Sequence, residues 1–236
     1  MIETFVSSKS TCTHMCRTVV FFVAGILTYR NNFEAAAGEF AKRYPHIKIV
    51  MIFPYGMADG TNRSSLSRLL ARQIAPVGYD LIHEESRRVK AAVEIIREHG
   101  AAADQLILVG HSAGSVIAYR AGLNLEEKHG FREVQVFAVG SPKFFLKDIS
   151  FNKQFTYITG QKQDKITRIG RWRKPGSRKF RGKPGREIQL DFNPDHPGWK
   201  FHASYFLNSA WSDANQVFHS NVEDLVSKIH ELCPDK

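Results

Sequence analysis

The chain has 236 residues, 43% hydrophobic and 24% charged, a make-up that fits a globular protein and excludes a disordered or fibrous one. That length suits a single domain, residues 1–236, with a substantial core; the longest apolar run, Val19 to Leu27, is about half of what a membrane helix needs. The net charge of +10 is local: residues 165–186 hold ten Lys or Arg and no Asp or Glu, and the remainder carries 23 basic and 23 acidic residues.

Three cysteines, Cys12, Cys16 and Cys233, make no disulfide framework and suit a reducing, cytoplasmic compartment. Cys12-Thr-His14-Met-Cys16 has no second ligand pair, so it reads as incidental thiols on a frayed N-terminus rather than a zinc site. Val19 to Ala24 reads as a buried strand. A signal-peptide apolar region with Ala35-Ala36-Ala37 as its cleavage site fits less well, because the start Met1-Ile2-Glu3 is not basic and Tyr29 to Glu34 intervene. A helix over Phe33 to Arg43 and a strand over Ile47 to Phe53 follow. Residues 56–80 form a candidate lid, in which Met57, Leu66, Leu69 and Leu70 offer an apolar underside; an ordinary surface helix over Ser65 to Gln73 is the plainer reading. From Asp80 to His99, Ile82, Val89, Ala92, Val93 and Ile96 recur at helical spacing, and Gly100 supplies a left-handed stop.

Leu106 to Val109 is an apolar run that feeds into Gly110-His111-Ser112-Ala113-Gly114, after which Ser115 to Leu123 carries apolar residues at helical spacing. Val134 to Val139, Phe155 to Ile158 and, more weakly, Ile188 to Phe192 read as further strands. Ser220-Asn221-Val222-Glu223 is a capping box opening a last helix whose Val222, Leu225, Val226, Ile229 and Leu232 share a face, with Pro234 beyond it. Repeated strand–helix units predict an α/β protein with a mostly parallel sheet covered by helices on both faces.

Strand, Gly-x-Ser-x-Gly, helix is the context of a nucleophile elbow, in which a tight turn lifts a serine hydroxyl clear of the sheet. A serine needs a histidine to take its proton and an acid to orient that histidine, in chain order after the serine. Asp164, just past the strand that ends near Thr159, is the preferred acid, with Asp195 as the alternative; Asp148 precedes that strand and Asp191 lies close to the candidate histidines. His202 is the preferred base over His196, His219 and His230, because its loop can return to Ser112. His219 is expected in a solvated or capping role and His230 on the polar side of the last helix. His111 is expected to support the elbow by packing and hydrogen bonding. The oxyanion hole needs two backbone donors: Ala113, and either Ile26 or Leu27 in the turn after the first strand.

Val109 to Gly114, Phe137-Ala-Val-Gly-Ser-Pro142 and His202-Ala-Ser-Tyr-Phe206 together resemble the α/β-hydrolase superfamily, and within it the fungal-type (class 3) lipases. The resemblance covers roughly residues 105 to 206. It implies hydrolysis of carboxylic esters, often lipid esters, through an acyl-enzyme, without metal or cofactor. The chain departs from the family pattern in three places. Only 18 residues precede the first strand, which implies a shortened sheet; Ser115 stands where a further glycine is common; and no hydroxyl residue directly follows Gly25. The same triad would serve a thioesterase or acyltransferase, and a non-catalytic binding protein on this scaffold is the alternative outside enzymes.

The basic segment, residues 165–186, contains two Pro-Gly pairs and reads as a loop or short hairpin rooted beside Asp164. Arg171, Trp172, Arg173, Lys174, Arg178, Lys179 and Arg181 form a candidate anionic-surface site, with Trp172 and Phe180 entering a membrane interface and the protein held peripherally. A solvated loop is the second reading and a phosphate-bearing substrate the third. Nucleic acid is the least favoured, since no recognised binding motif accompanies the charge.

Overall fold

Strand β2 (Thr18–Val23) is buried along its whole length, and its side chains alternate between two cores. Val19, Phe21 and Val23 join one cluster; Val20 and Phe22 join the other. That period of two is the geometry of a strand covered on both faces. The structure, a computed structural model, describes residues 2–12, 16–57, 74–147, 149–160, 164–190, 202, 205–206 and 215–234.

The other strands are β1 (Glu3–Val6), β3 (Ile47–Phe53), β4 (Gln105–His111), β5 (Val134–Val139), β6 (Phe155–Thr159) and β7 (Arg186–Gln189). They form one sheet in the order β1-β3-β2-β4-β5-β6-β7. All neighbours are parallel except β1, which pairs antiparallel to β3 with Glu3 opposite Phe53. The short N-terminal stretch expected to fray is therefore an edge strand, too brief for its alternation to be read. The helices are α1 (Glu34–Arg43), α2 (residues 74–82), α3 (Arg87–Gly100), α4 (Gly114–His129) and α5 (Asn215–Leu232).

Val89, Ala92, Val93 and Ile96 of α3 and Val116, Ile117 and Ala121 of α4 cover one face of the sheet. Phe40 of α1 and Val222, Leu225, Val226 and Ile229 of α5 cover the other. Among the described residues, no helix is long and apolar enough to cross a membrane.

Several boundaries differ from expectation for identifiable reasons. The helix foreseen from Asp80 to His99 is two helices, because Ser86 accepts a bond from the Val89 amide (3.2 Å) and starts α3 afresh. Gly100 stays within α3, and Ala101 ends it in right-handed backbone. The last helix begins at Asn215, upstream of the capping-box pattern, so Ser220 and His219 lie inside it. His230, half-buried on the last helix, also sets its ring steeply against Tyr44, 4.9 Å between centroids. Cys12 and Cys16 are paired as a disulfide, which corrects their reading as incidental thiols and removes the argument for a reducing compartment. Strand β7 starts at Arg186, within the basic segment. The predicted helix 65–73, with Leu66, Leu69 and Leu70, lies outside the described residues, as do Asp148, Asp191, Asp195 and His196.

Candidate active site

Strand β4 is fully buried and ends at the C-terminal edge of the sheet. There Ser112 takes φ 54, left-handed backbone that a serine seldom adopts. Its amide donates to the Val139 carbonyl (3.0 Å), and its carbonyl accepts from Ser115 (3.1 Å). Three glycines make room for this turn. A Cβ on Gly114 would lie 2.1 Å from the Val23 carbonyl oxygen, one on Gly110 2.4 Å from Ser115 Cα, and one on Gly25 2.8 Å from Ser112 Cβ. Ser115 stands where the resemblance to fungal-type lipases implies glycine, and its hydroxyl donates to the Gly110 carbonyl (2.8 Å), tying the first turn of α4 to the strand.

Ser112 Oγ lies 2.9 Å from His202 Nε2, and His202 Nδ1 lies 2.9 Å from Asp164 Oδ2. All three residues are at most 9% exposed, so each must find its partner within the protein. A carboxylate only accepts, so Nδ1 carries the proton towards Asp164 and Nε2 is left to accept from the serine hydroxyl. Asp164 follows β6, and its Oδ1 accepts from the Ile166 amide (2.9 Å). Tyr205 is fully buried; its hydroxyl accepts from the Gly160 amide (2.6 Å) and bonds to the Asp164 carboxyl. Burial first, and the negative Asp164 second, push the Tyr205 phenol far above its ordinary range, so it stays a donor to that carboxylate.

His111 forms the floor. Its ring lies nearly parallel to that of His202, 5.2 Å between centroids and 24° apart, and its Nε2 donates to the His202 carbonyl (3.2 Å). Burial chiefly, and the neighbouring His202 in addition, push its pKa down to about 3, so it is neutral at ordinary pH. Phe206 meets the His111 ring edge-on.

Ala113, 4% exposed, is the N-cap of α4, and its amide nitrogen would sit 3.4 Å from a Cβ on Gly25. The turn carrying Ile26 and Leu27 thus starts against the elbow. Leu27 takes φ 54, and the Thr28 hydroxyl closes the turn onto the Ile26 carbonyl (3.3 Å).

The residues that sequence reasoning passed over are Gly25 as a packing partner of Ser112, and Tyr205. No periodicity marks either, because their partners are 87 and 41 positions away in the chain. Among the described residues, no group of three or more His, Cys, Asp or Glu is placed to hold a metal ion.

The basic segment leaves Asp164 as a strap laid along residues 143–147. Lys143 donates to Ile169, Leu146 to Trp172, and Gly182 to Leu146. Pro175-Gly176 forms the expected turn, with Gly176 at φ 73 and Ser177 donating to the Lys174 carbonyl. Trp172 is not presented to solvent as foreseen. It is half-buried, its ring edge-on to Tyr157 (4.7 Å), Phe144 and Phe155, because the strap needs an apolar anchor in the core. Phe180 likewise rests on Phe145. Arg171, Arg173, Lys174, Arg178, Lys179 and Arg181 are exposed.

No protein-family model and no curated protein matches the chain. Among solved structures, a type II thioesterase from the yersiniabactin NRPS/PKS biosynthetic pathway superposes with a TM-score of 0.50 at 8% identity, over 96% of both chains. A soluble variant of monoglyceride lipase from Saccharomyces cerevisiae gives 0.46 at 10% identity, over 98% of this chain and 91% of that one. A carboxyl esterase from Bacillus coagulans gives 0.38 at 13% identity over 60% of this chain, which spans only 40% of the esterase.

Proposed function

We propose that this chain, whose mostly parallel seven-stranded sheet with helices on both faces is an α/β-hydrolase fold, is a serine hydrolase that cleaves carboxylic esters. The observation that carries the reading is the unbroken hydrogen-bond chain from Ser112 through His202 to Asp164, with Ser112 in strained backbone.

In this reading Ser112 Oγ attacks the acyl carbon while His202 Nε2 takes its proton. Asp164 stabilises the imidazolium that forms. The oxyanion accepts from the Ala113 amide and from an amide of the Ile26–Leu27 turn, near the N-terminus of α4 where partial positive charge collects. Collapse breaks the ester C–O bond, and His202 returns the proton to the leaving alkoxide. Water then repeats the sequence on the acyl-enzyme and frees the acid. Lipid esters follow from the three segments that resemble fungal-type lipases. Thioesters are the second reading, favoured by the full-length likeness to a type II thioesterase; a thiolate would leave through the same groups.

Labelling with a serine-directed fluorophosphonate, followed by peptide mapping, tests the assignment. The adduct is expected on Ser112 and is lost in Ser112→Ala and strongly slowed in His202→Ala. Labelling elsewhere, or none, overturns it. Paired oxygen and sulfur esters of the same acyl group then separate the two substrate classes.

A further inference from the structure

Helix α2 is inside out. Its described residues, 74–82, read Ile-Ala-Pro-Val-Gly-Tyr-Asp-Leu-Ile and include one charged side chain. A surface helix buries its apolar stripe and wets its charges; here Ile74 is 52% exposed, Tyr79 52% and Ile82 63%, while Asp80 is fully buried. The orientation is enforced from within. Asp80 pairs with Arg88 of α3 (3.4 Å) and with the Tyr55 hydroxyl. The buried guanidinium of Arg120, on α4, donates to the carbonyls of Asp80 and His83 and to that of Leu81 (3.2 Å). Rolling α2 to hide its isoleucines would strip partners from a buried carboxylate and a buried guanidinium, which costs more than burying the isoleucines returns.

The basic strap is tied to the loop that follows α2. Glu84, two residues past α2, bridges Lys179 of the strap and Lys147, each at 3.2 Å. Burial works to raise the Glu84 carboxyl, but its bonds to Lys179 and Lys147 outweigh that and hold it below the usual carboxylate range, so the link is ionic. The strap also carries the exposed Arg171, Arg173, Lys174, Arg178, Arg181 and Lys183. Six large apolar side chains are exposed among the described residues, and four of them (Ile74, Tyr79, Ile82 and Ile169) lie on α2 or the strap. Scattered exposed apolar groups carry no message, but such a concentration does.

We infer that the outer face of α2 and the cations of the strap form one surface that docks the protein on an anionic lipid bilayer. The cations meet headgroup phosphates and carboxylates, and Ile74, Tyr79 and Ile82 enter the boundary between headgroups and acyl chains. Nucleic acid fits less well. Its bases need free aromatic faces to stack on, whereas Trp172 and Phe180 are turned inward, one face of Tyr79 is already stacked on His83 (3.9 Å between centroids), and isoleucines add nothing there. The surface is tied to the elbow's own helix through Arg120, yet docking does not depend on any chemistry at Ser112.

The test is co-sedimentation with phosphatidylcholine vesicles, with and without phosphatidylserine, at low and raised salt. The variants are Ile74→Ser/Tyr79→Ser/Ile82→Ser and Arg173→Glu/Lys174→Glu/Arg178→Glu, each checked by circular dichroism and by turnover of a short soluble ester. Wild type is expected to sediment with the phosphatidylserine vesicles, less so at raised salt, and each variant to lose at least ~tenfold in partitioning while its fold is kept. Equal binding to neutral vesicles, no binding to either, or full binding by either folded variant overturns the proposal. So does retention on single-stranded nucleic acid, or a dimer through α2, without vesicle binding. Sedimentation is read without turnover, so a protein that docks but hydrolyses nothing separates this inference from the proposed activity.

Discussion

At the elbow, a Cβ on Gly114 would lie 2.1 Å from a carbonyl oxygen of β2; in the strap, a Cβ on Gly170 would lie 1.8 Å from the carbonyl oxygen of Lys143. The same device, glycine allowing two backbones to touch, has opposite results in the two regions. At the elbow the close approach turns polar side chains inward, so Ser112, His202 and Asp164 satisfy one another away from water, where each hydrogen bond is electrostatically strong. In the strap it turns the backbone and Trp172 inward and leaves a row of cations in water, where salt screens their repulsion. Which side chains a close crossing buries decides whether the region orders a few groups tightly or presents many loosely.

Substitutions can break this contrast. The largest effect is expected from Asp164→Asn, which preserves shape but removes the charge that orients His202: kcat for ester hydrolysis should fall about 10⁴-fold with little change in melting temperature. Steady-state kinetics on a soluble ester checks this, and a fall of less than tenfold would remove Asp164 from the relay. Next comes a pair. Gly25→Ala presses on Ser112 Cβ and the His111 carbonyl, and a displaced nucleophile should cost about 10²-fold in kcat. Gly170→Ala has the more severe clash and sits at φ 86, yet it should leave turnover of the soluble ester nearly unchanged. Its cost should appear as a melting temperature lower by about 3–10 °C, from roughly 1–3 kcal/mol of strain. If both variants lose activity equally, the strap and the elbow are not separable.

The smallest effect concerns His111. Its folded pKa, about 3, lies below that of an unfolded histidine. Below about pH 6.5 the unfolded chain takes up a proton that the folded chain refuses, so its contribution to stability is complete above that pH and falls as pH drops towards 3. His111→Gln keeps a donor for the His202 carbonyl and removes the titration. Denaturant unfolding from pH 7 to pH 4 should therefore give the variant a flatter acid limb, by about 1 kcal/mol per pH unit. An unchanged slope would mean that His111 is solvated in the native protein.

Much of this architecture is local in origin and was legible without coordinates. The strands Val19 to Ala24, Ile47 to Phe53 and Val134 to Val139 announce themselves as apolar runs, because a strand buried on both faces has no other composition open to it. The strand–glycine–serine–glycine–helix string likewise marks the elbow, since only glycines permit its backbone crossings. Asp164 and His202 were found by chain order and by position relative to strand ends, and both lie in the hydrogen-bond chain with Ser112. What stayed hidden depends on partners far apart in the chain. The break between α2 and α3 rests partly on Arg120, and the outward face of α2 on Asp80, Arg88 and Arg120 together. Tyr205 beneath Asp164, Trp172 turned into the core and the pairing of β1 with β3 are decided in the same way. By itself the sequence determined which segments must be buried, where charge accumulates and which serine is held in a strained turn, because these follow from composition and from local steric limits. Only the tertiary structure decided which buried polar groups find one another, because an unsatisfied charge in the interior costs more than an exposed isoleucine, and that balance is struck between residues the chain keeps far apart.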